Sequence, residues 1–341
     1  MSIQPARFAD VDQIEDWMTA PSPALIDDLA ALEGDIAILG VGGKMGPTLA
    51  RLAKRAAPGK RVIGVARFSE PGVRARLEAA GVECVKTDLL DRAAVGRLPR
   101  AANVVFMAGR KFGSVGNMPL TWAMNALVPA YVAEVFAASR IVVFSTACVY
   151  PFTSINGPGA DEATPPTAPS GEYANSCVAR ERVFEHFSRI HRTPGRFIRL
   201  SYAIDMRYGV LHDIARKIVD DVPIDLAMGA VNVIWQGDAN NQALRALRVC
   251  TTPMSGLNVS GPMQRVRDLA QGLGRRLARS PRFVGKEADD AWVIDCQAAA
   301  RLFGPPAVSI ETLLDWTADW VRHGGASLGK ETHFETRDGH Y

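Results

Sequence analysis

Over the first two hundred positions the chain alternates between short, continuously apolar runs and longer stretches in which apolar residues return every three to four positions. The short runs are 36–41, 61–66, 82–87, 104–107, 141–145 and 197–200. They carry no polar/apolar alternation, so the strands they predict are buried on both faces, as in a parallel sheet covered by helices. The longer stretches, 48–57, 71–80, 120–138 and 173–190, have the helical period. Ser69 ahead of Glu70 and Pro71 predicts a helix start, because a hydroxyl satisfies free backbone N–H groups and proline fits the first turn. Strands alternating with helices predict an α/β fold built on a doubly wound parallel sheet.

Residues 1–34 precede this alternation as an arm, with short helices predicted over 10–18 and 24–32 and broken by Pro21 and Pro23. Residues 35–200 form the main domain. Beyond it the pattern turns irregular, and 201–341 is expected to be a smaller substrate-binding region ending in a polar tail from Gly324. Its place is the C-terminal edge of the sheet, where open α/β sheets bind ligands.

Composition narrows the function. With 341 residues, 48% of them hydrophobic, the chain can form one large or two modest cores. Its 39 basic and 36 acidic residues leave a net charge of +3, too small for a dedicated nucleic-acid binder. No apolar run approaches the roughly 20 residues of a membrane span. The start of the chain lacks the basic and apolar regions of a secretory signal. The cysteines Cys84, Cys148, Cys177, Cys250 and Cys296 are scattered and odd in number, which suits free thiols in a reducing cytoplasm. The histidines have no metal-ligand spacing, so no metal is expected.

Gly40, Gly43 and Gly46 form G-x-x-G-x-x-G between the first strand and the next helix, with Lys44 and Met45 inside it. Such glycines let a backbone approach a pyrophosphate, and the helix N-terminus offers N–H groups to the anion. This predicts an NAD(P) site on a Rossmann-type domain; the plainer reading is a structural turn without cofactor. The second strand ends at Ala66-Arg67, where an acidic residue would hold the ribose of NAD. Arg67 can instead meet a 2′-phosphate, which tilts the expectation toward NADP over NAD; otherwise it is a solvated loop residue.

From this turn onward, over about residues 35–323, the chain resembles the extended branch of the short-chain dehydrogenase/reductase superfamily, the NAD-dependent epimerases and dehydratases. Asp88-Leu89 resembles the pair beside the adenine. Met107-Ala108-Gly109 is similar to the family's turn after the fourth strand, and Asn125 to the asparagine in the helix that follows. Ser145-Thr146-Ala147-Cys148-Val149-Tyr150 resembles the segment carrying the catalytic Ser/Thr, which the likeness places at Thr146. Tyr173 stands where Y-x-x-x-K begins. Trp235-Gln236-Gly237-Asp238 resembles a later segment that returns a strand, near 231–250, to the first domain. Residues 310–323 resemble the closing tryptophan-containing helix. The resemblance implies an NAD(P)-dependent oxidoreductase or epimerase acting on a sugar-like substrate, with Thr146 orienting the substrate oxygen and Tyr173 exchanging its proton. It also implies a homodimer paired through the helices at 120–138 and 173–190. Arg180, Tyr202, Tyr208, Trp235 and Gln236 are the residues expected to line the substrate pocket.

Cys177 replaces the lysine of Y-x-x-x-K. In the family that lysine lowers the tyrosine pKa by its charge, which a thiol cannot do. Lys111, in the loop after the fourth strand, and Arg180, seven residues beyond Tyr173 on one helix face, are the candidate replacements, with Lys111 preferred. The other outcome is lost chemistry, leaving a dinucleotide-binding sensor or scaffold.

Overall fold

The computed structural model describes residues 4–111 and 116–339. Its strands are β1 (Ile36–Leu39), β2 (Val62–Ala66), β3 (Glu83–Lys86), β4 (Asn103–Phe106), β5 (Arg140–Thr146), β6 (Thr153–Ser154), β7 (Gly195–Leu200), β8 (Ala203–Ile204), β9 (Ile224–Asp225), β10 (Ala230–Asn232), β11 (Ile234–Trp235), β12 (Ser255–Val259), β13 (Met263–Arg265), β14 (Phe283–Val284) and β15 (Asp290–Ala291). The helices are α1 (Val11–Met18), α2 (Pro23–Ala30), α3 (Gly46–Ala56), α4 (Val73–Ala79), α5 (Arg92–Gly96), α6 (Met118–Trp122), α7 (Val128–Val135), α8 (Glu172–His191), α9 (Val210–Val219), α10 (Gln236–Arg245), α11 (Val266–Leu277), α12 (Gln297–Phe303) and α13 (Ile310–Arg322).

Seven parallel strands make the central sheet in the order β12-β7-β5-β4-β1-β2-β3. The chain runs outward from β1 in both directions, so a crevice opens beyond the ends of β1 and β4, where such a sheet takes its ligand. Apolar side chains of β1, such as Ile36, Ala37, Ile38 and Leu39, are all buried, which explains the continuous apolar runs. The six strands expected from the sequence are present. The seventh, β12, comes from the stretch expected to be irregular: its Ser-Gly-Leu-Asn-Val has little apolar signal, and pairing with β7 makes it a strand.

Three expectations change. The helix foreseen from Ser69 starts at Val73, because Gly72 is left-handed (φ 78°) and Ser69 stays in a loop bordering the crevice. Residues 120–138 are α6 and α7 joined by a π turn at Ala123–Leu127, and the helix stops at Val135. Such a turn widens the helix locally and often marks a functional position; here it holds Asn125. The segment 231–250 returns a helix rather than a strand: α10 packs on α3, while β11 pairs with β8 outside the main sheet.

The region after residue 200 has its own core, in which Phe8 of the arm meets Trp316 with ring centroids 4.7 Å apart. Trp316 Nε1 donates to Pro5 O at 2.8 Å, so the arm is fastened across this lobe. The tail is fastened too: Thr332 donates to Asp213 Oδ2 through its N–H (2.9 Å) and its hydroxyl (2.6 Å), and Ser170 Oγ donates to Asp338 O at 3.2 Å. Among the described residues, no helix is long and apolar enough to cross a membrane.

Asp238, at the start of α10, accepts from Val308 N–H at 3.0 Å. Burial pushes its carboxyl up to about 6. The folded chain therefore holds this proton more tightly than the unfolded chain, so the group's stabilising contribution is complete below its unfolded pKa and lost as pH rises through the folded one. Asp238→Asn keeps the acceptor and cannot ionise. It is expected to melt above the native protein at about pH 8 and with it at about pH 4; an equal difference at both pH values in a thermal melt refutes this.

Candidate active site

The first crossover turn is shaped by what its glycines exclude. Gly40 has φ 92°, and a Cβ there would lie 2.5 Å from Ala108 N, so only glycine lets the turn pass the end of β4. A Cβ at Gly46 would collide with the Val41 carbonyl, so glycine lets α3 close on the strand. At Gly43, by contrast, an added Cβ would meet only Gly40 O, at 3.5 Å, leaving the mouth of the turn open. Helix α3 starts there without a side-chain cap, so its first N–H groups face the crevice. Open space beside uncapped N–H groups is what a pyrophosphate requires, and the residues fit a dinucleotide.

Two cavities that share Gly40, Gly43 and Met107 in their linings flank the turn. One is lined by Arg67, Asp88, Leu89, Met107, Ala108 and Gly109 together with Phe68 and Ser69. It suits an adenosine moiety, with Arg67 and Asp88 exposed at its rim. The other brings Lys44, Met45, Lys111, Thr146, Tyr173, Tyr202 and Tyr208 around the same glycines, and adds Ser145, Cys148, Ser201 and Trp292. Trp292 had no sequence signal, since it reaches the cleft from a loop about 120 residues downstream of Tyr173. Its Nε1 donates to Tyr150 O at 2.9 Å.

Thr146 ends β5 and Tyr173 opens α8, and the two side chains line the same cavity, the Thr146 hydroxyl near enough to the phenol to favour its charged form. Burial raises the Tyr173 phenol well above its ordinary 10, the neighbouring Cys177 and Cys148 raise it further, and Arg180 and the Thr146 hydroxyl oppose them. Burial also pushes Cys177 up, so it is a neutral thiol. The Lys111 ammonium lies 6.0 Å from the centroid of the Tyr173 ring, against its face, and burial lowers its pKa. Both candidate replacements for the lysine therefore stand near Tyr173, Lys111 against the face of its ring and Arg180 as a cation opposing the rise of its pKa.

Arg180 does not line the substrate pocket. It is buried behind it, donating from Nη1 to Phe144 O (2.8 Å) and from Nη2 to Asn125 Oδ1 (2.7 Å). Asn125 is likewise not exposed to a coenzyme. Its Oδ1 also accepts from Arg110 N (2.8 Å), and its Nδ2 donates to Arg110 O (3.0 Å) and Ser176 Oγ (2.9 Å). With its capacity spent inside the protein, Asn125 positions the loop after β4 against α8. Trp235 and Gln236 are also away from the pocket. Trp235 packs on Trp316 in the second core, and Gln236 Nε2 donates to Thr48 Oγ1 at 3.1 Å, tying α10 to α3.

Beneath the site lies a buried polar network with no linear signature. Glu181 of α8 accepts from Arg199 of β7 at 2.7 Å (Nη2 to Oε2) and 3.1 Å (Nε to Oε1), and from Ser145 Oγ at 2.6 Å. Arg199 Nη1 donates to the Tyr150 hydroxyl at 2.5 Å, which donates to Asn258 Oδ1 of β12 at 2.9 Å. Burial holds Tyr150 protonated, pushing it up to about 12. The network joins α8, β5, β7 and β12 directly below Thr146 and Tyr173.

A glycine turn at the switch point of a parallel sheet, sharing one cleft with a Thr–Tyr pair, defines a Rossmann-type nucleotide-coenzyme enzyme. Residues 36–220 match the NAD dependent epimerase/dehydratase family, and the chain belongs to that family. No curated protein sequence matches it. Among solved structures it is similar to dTDP-glucose 4,6-dehydratase from Streptomyces venezuelae (20% identity, TM-score 0.71, 85% of this chain and 97% of the other). UDP-glucose 4-epimerase from Thermotoga maritima is also similar (18%, 0.71, 85% and 99%), as is UDP-glucuronic acid 4-epimerase from Bacillus cereus (17%, 0.70, 85% and 99%).

Proposed function

We propose that the protein is an NAD(P)-dependent oxidoreductase or epimerase acting on a secondary alcohol or ketone of a sugar-like substrate. The observation that carries this is the Thr146–Tyr173 pair, lining the same cavity as the glycine turn. When bound, a nicotinamide coenzyme supplies the hydride donor or acceptor. Gly40, Gly43 and Gly46 would hold its pyrophosphate, and Arg67, Asp88 and Leu89 its adenosine end. Thr146 orients the substrate oxygen. Tyr173, whose pKa is raised, enters as the neutral phenol, so it donates its proton to a carbonyl more readily than it removes one from an alcohol. Two of the similar structures are complexes with UDP-glucose or a UDP-glucuronic acid derivative, which supports a sugar-like ligand here. The test is NAD(P)H oxidation by the native protein against a panel of ketoses and nucleotide-linked ketosugars. The alternative, a coenzyme-binding sensor, draws on Cys177 in place of the lysine; tight coenzyme binding with no turnover on any ketone would favour it.

NADP is the coenzyme this reading prefers, supported by Arg67 at the rim of the adenosine cavity. Arg67→Ala should weaken NADP about tenfold or more, the worth of a charge-assisted hydrogen bond, and leave NAD within about twofold. Equal losses for both coenzymes in a titration refute it.

A homodimer through α7 and α8 is part of the same proposal. Leu127 (47% exposed) and Ile190 (57%) leave apolar surface on this side. Light scattering should give twice the chain mass; a monomer at micromolar concentration refutes it.

A further inference from the structure

We infer that the substrate carries an acid group, a carboxylate on its sugar-like body, and that Lys44 is the residue that holds it. This rests on the coenzyme and Thr146–Tyr173 reading above and names the substrate class for that same cleft. Lys44 sits inside the glycine turn, but its side chain points away from the adenosine cavity and into the one that holds Tyr173. It is therefore not placed for a 2′-phosphate. Its Nζ donates to Ala203 O at 3.2 Å and rests 3.9 Å from the centroid of the Tyr208 ring. An ammonium has three donors, and among the described residues Lys44 has no carboxylate within 4.0 Å.

The acids nearest to it are committed elsewhere. Asp205 is paired with Arg207 at 2.7 Å, Arg207 also reaches Glu15 at 3.0 Å, and Asp213 accepts from Thr332. The lining of the cavity contains Lys44 and Lys111 and no carboxylate. Burial, with Arg207 and Lys111 adding like charge, pushes Lys44 down to about 7, against the opposing pull of Asp205 and Asp213. A cation in a cleft wall with no directly paired carboxylate gains most from an anionic ligand. Because Lys44 belongs to the turn itself, a carboxylate bound to it is held at a fixed offset from the Thr146–Tyr173 pair, which positions the neighbouring hydroxyl-bearing carbon for reaction.

The coenzyme's own pyrophosphate is the competing anion, and the experiment separates the two. Calorimetry on the full chain, with and without saturating NAD or NADP, compares gluconate and glucuronate with their neutral counterparts glucitol and methyl glucoside. In the native protein the acids should bind at least about tenfold more tightly, a difference of about 1.4 kcal/mol. Lys44→Met should bring the ratio close to one, and Lys44→Arg should keep most of it. A native ratio near one, including no binding of either class, overturns the inference. So does a Lys44→Met protein that loses coenzyme affinity while keeping the native ratio, since the pyrophosphate is then the partner. Absence of heat with both coenzymes strikes the coenzyme reading instead, and the acid-to-neutral ratio is still read in their absence.

Discussion

Tyr173→Phe is expected to lower turnover by about 10²–10⁴-fold, the usual worth of a positioned proton donor, while NAD(P) binds as tightly as to the native protein. The prediction follows from what the substitution leaves in place. The phenyl ring keeps its packing at the start of α8 and its face toward Lys111. The glycine turn, Arg67 and Asp88 lie on the far side of the cleft. Only the hydroxyl disappears from beside Thr146. Thr146 keeps its hydrogen bond, accepting from Cys148 N at 3.2 Å, so the end of β5 should not move. Steady-state turnover alongside a coenzyme titration separates the two effects. If more than a tenth of native turnover survives, the proton comes from elsewhere in the cleft and the role given to Tyr173 is wrong.

Arg199→Met should cost about 3–5 kcal/mol of unfolding free energy, read as a lowered urea midpoint, because it strands a buried carboxylate. Glu181 and Arg199 side chains are 3% and 7% exposed. Once the guanidinium is gone, Glu181 keeps the Ser145 hydroxyl but loses its cation, and Tyr150 loses a donor. Removing both charges, in Glu181→Met with Arg199→Met, should recover most of the loss, since no unpaired charge is then left in the interior. The double variant should also expose a catalytic cost separate from stability. Ser145 directly precedes Thr146, and freeing its hydroxyl from Glu181 loosens the strand end that aims Thr146. A single variant as stable as the native protein, or a double variant no better than the single, would show that the pair is not a unit.

Much of the sheet was legible because burial on both faces writes itself as an unbroken apolar run. Ile36 to Leu39 and Val62 to Ala66 are examples. The glycine turn was legible because backbone collisions at Gly40 and Gly46 leave no other residue possible. Trp235 and Gln236 were misplaced because an aromatic and an amide next to each other read equally well as a pocket wall or as a tie between helices. Only the packing of Trp235 on Trp316 and the hydrogen bond from Gln236 to Thr48 separate the two. Asn125 belonged to the site region, but whether its amide faced a ligand or the protein depended on four partners drawn from Arg110, Ser176 and Arg180.

Local interactions are recorded in adjacent residues, and so the order of strands and helices, the phosphate-sized turn and the absence of lysine at Cys177 were determined by the sequence alone. Interactions between positions far apart in the chain have no such record. The tertiary structure alone decided that β12 completes the sheet, that Lys111 lies against the Tyr173 ring while Arg180 is buried behind the cleft, and that Glu181, Arg199 and Tyr150 form one network. It also decided that Lys44 reaches over Tyr208 into the reaction cleft. Each depends on the folding together of segments dozens of residues apart, where burial sets how strongly charges and hydrogen bonds act.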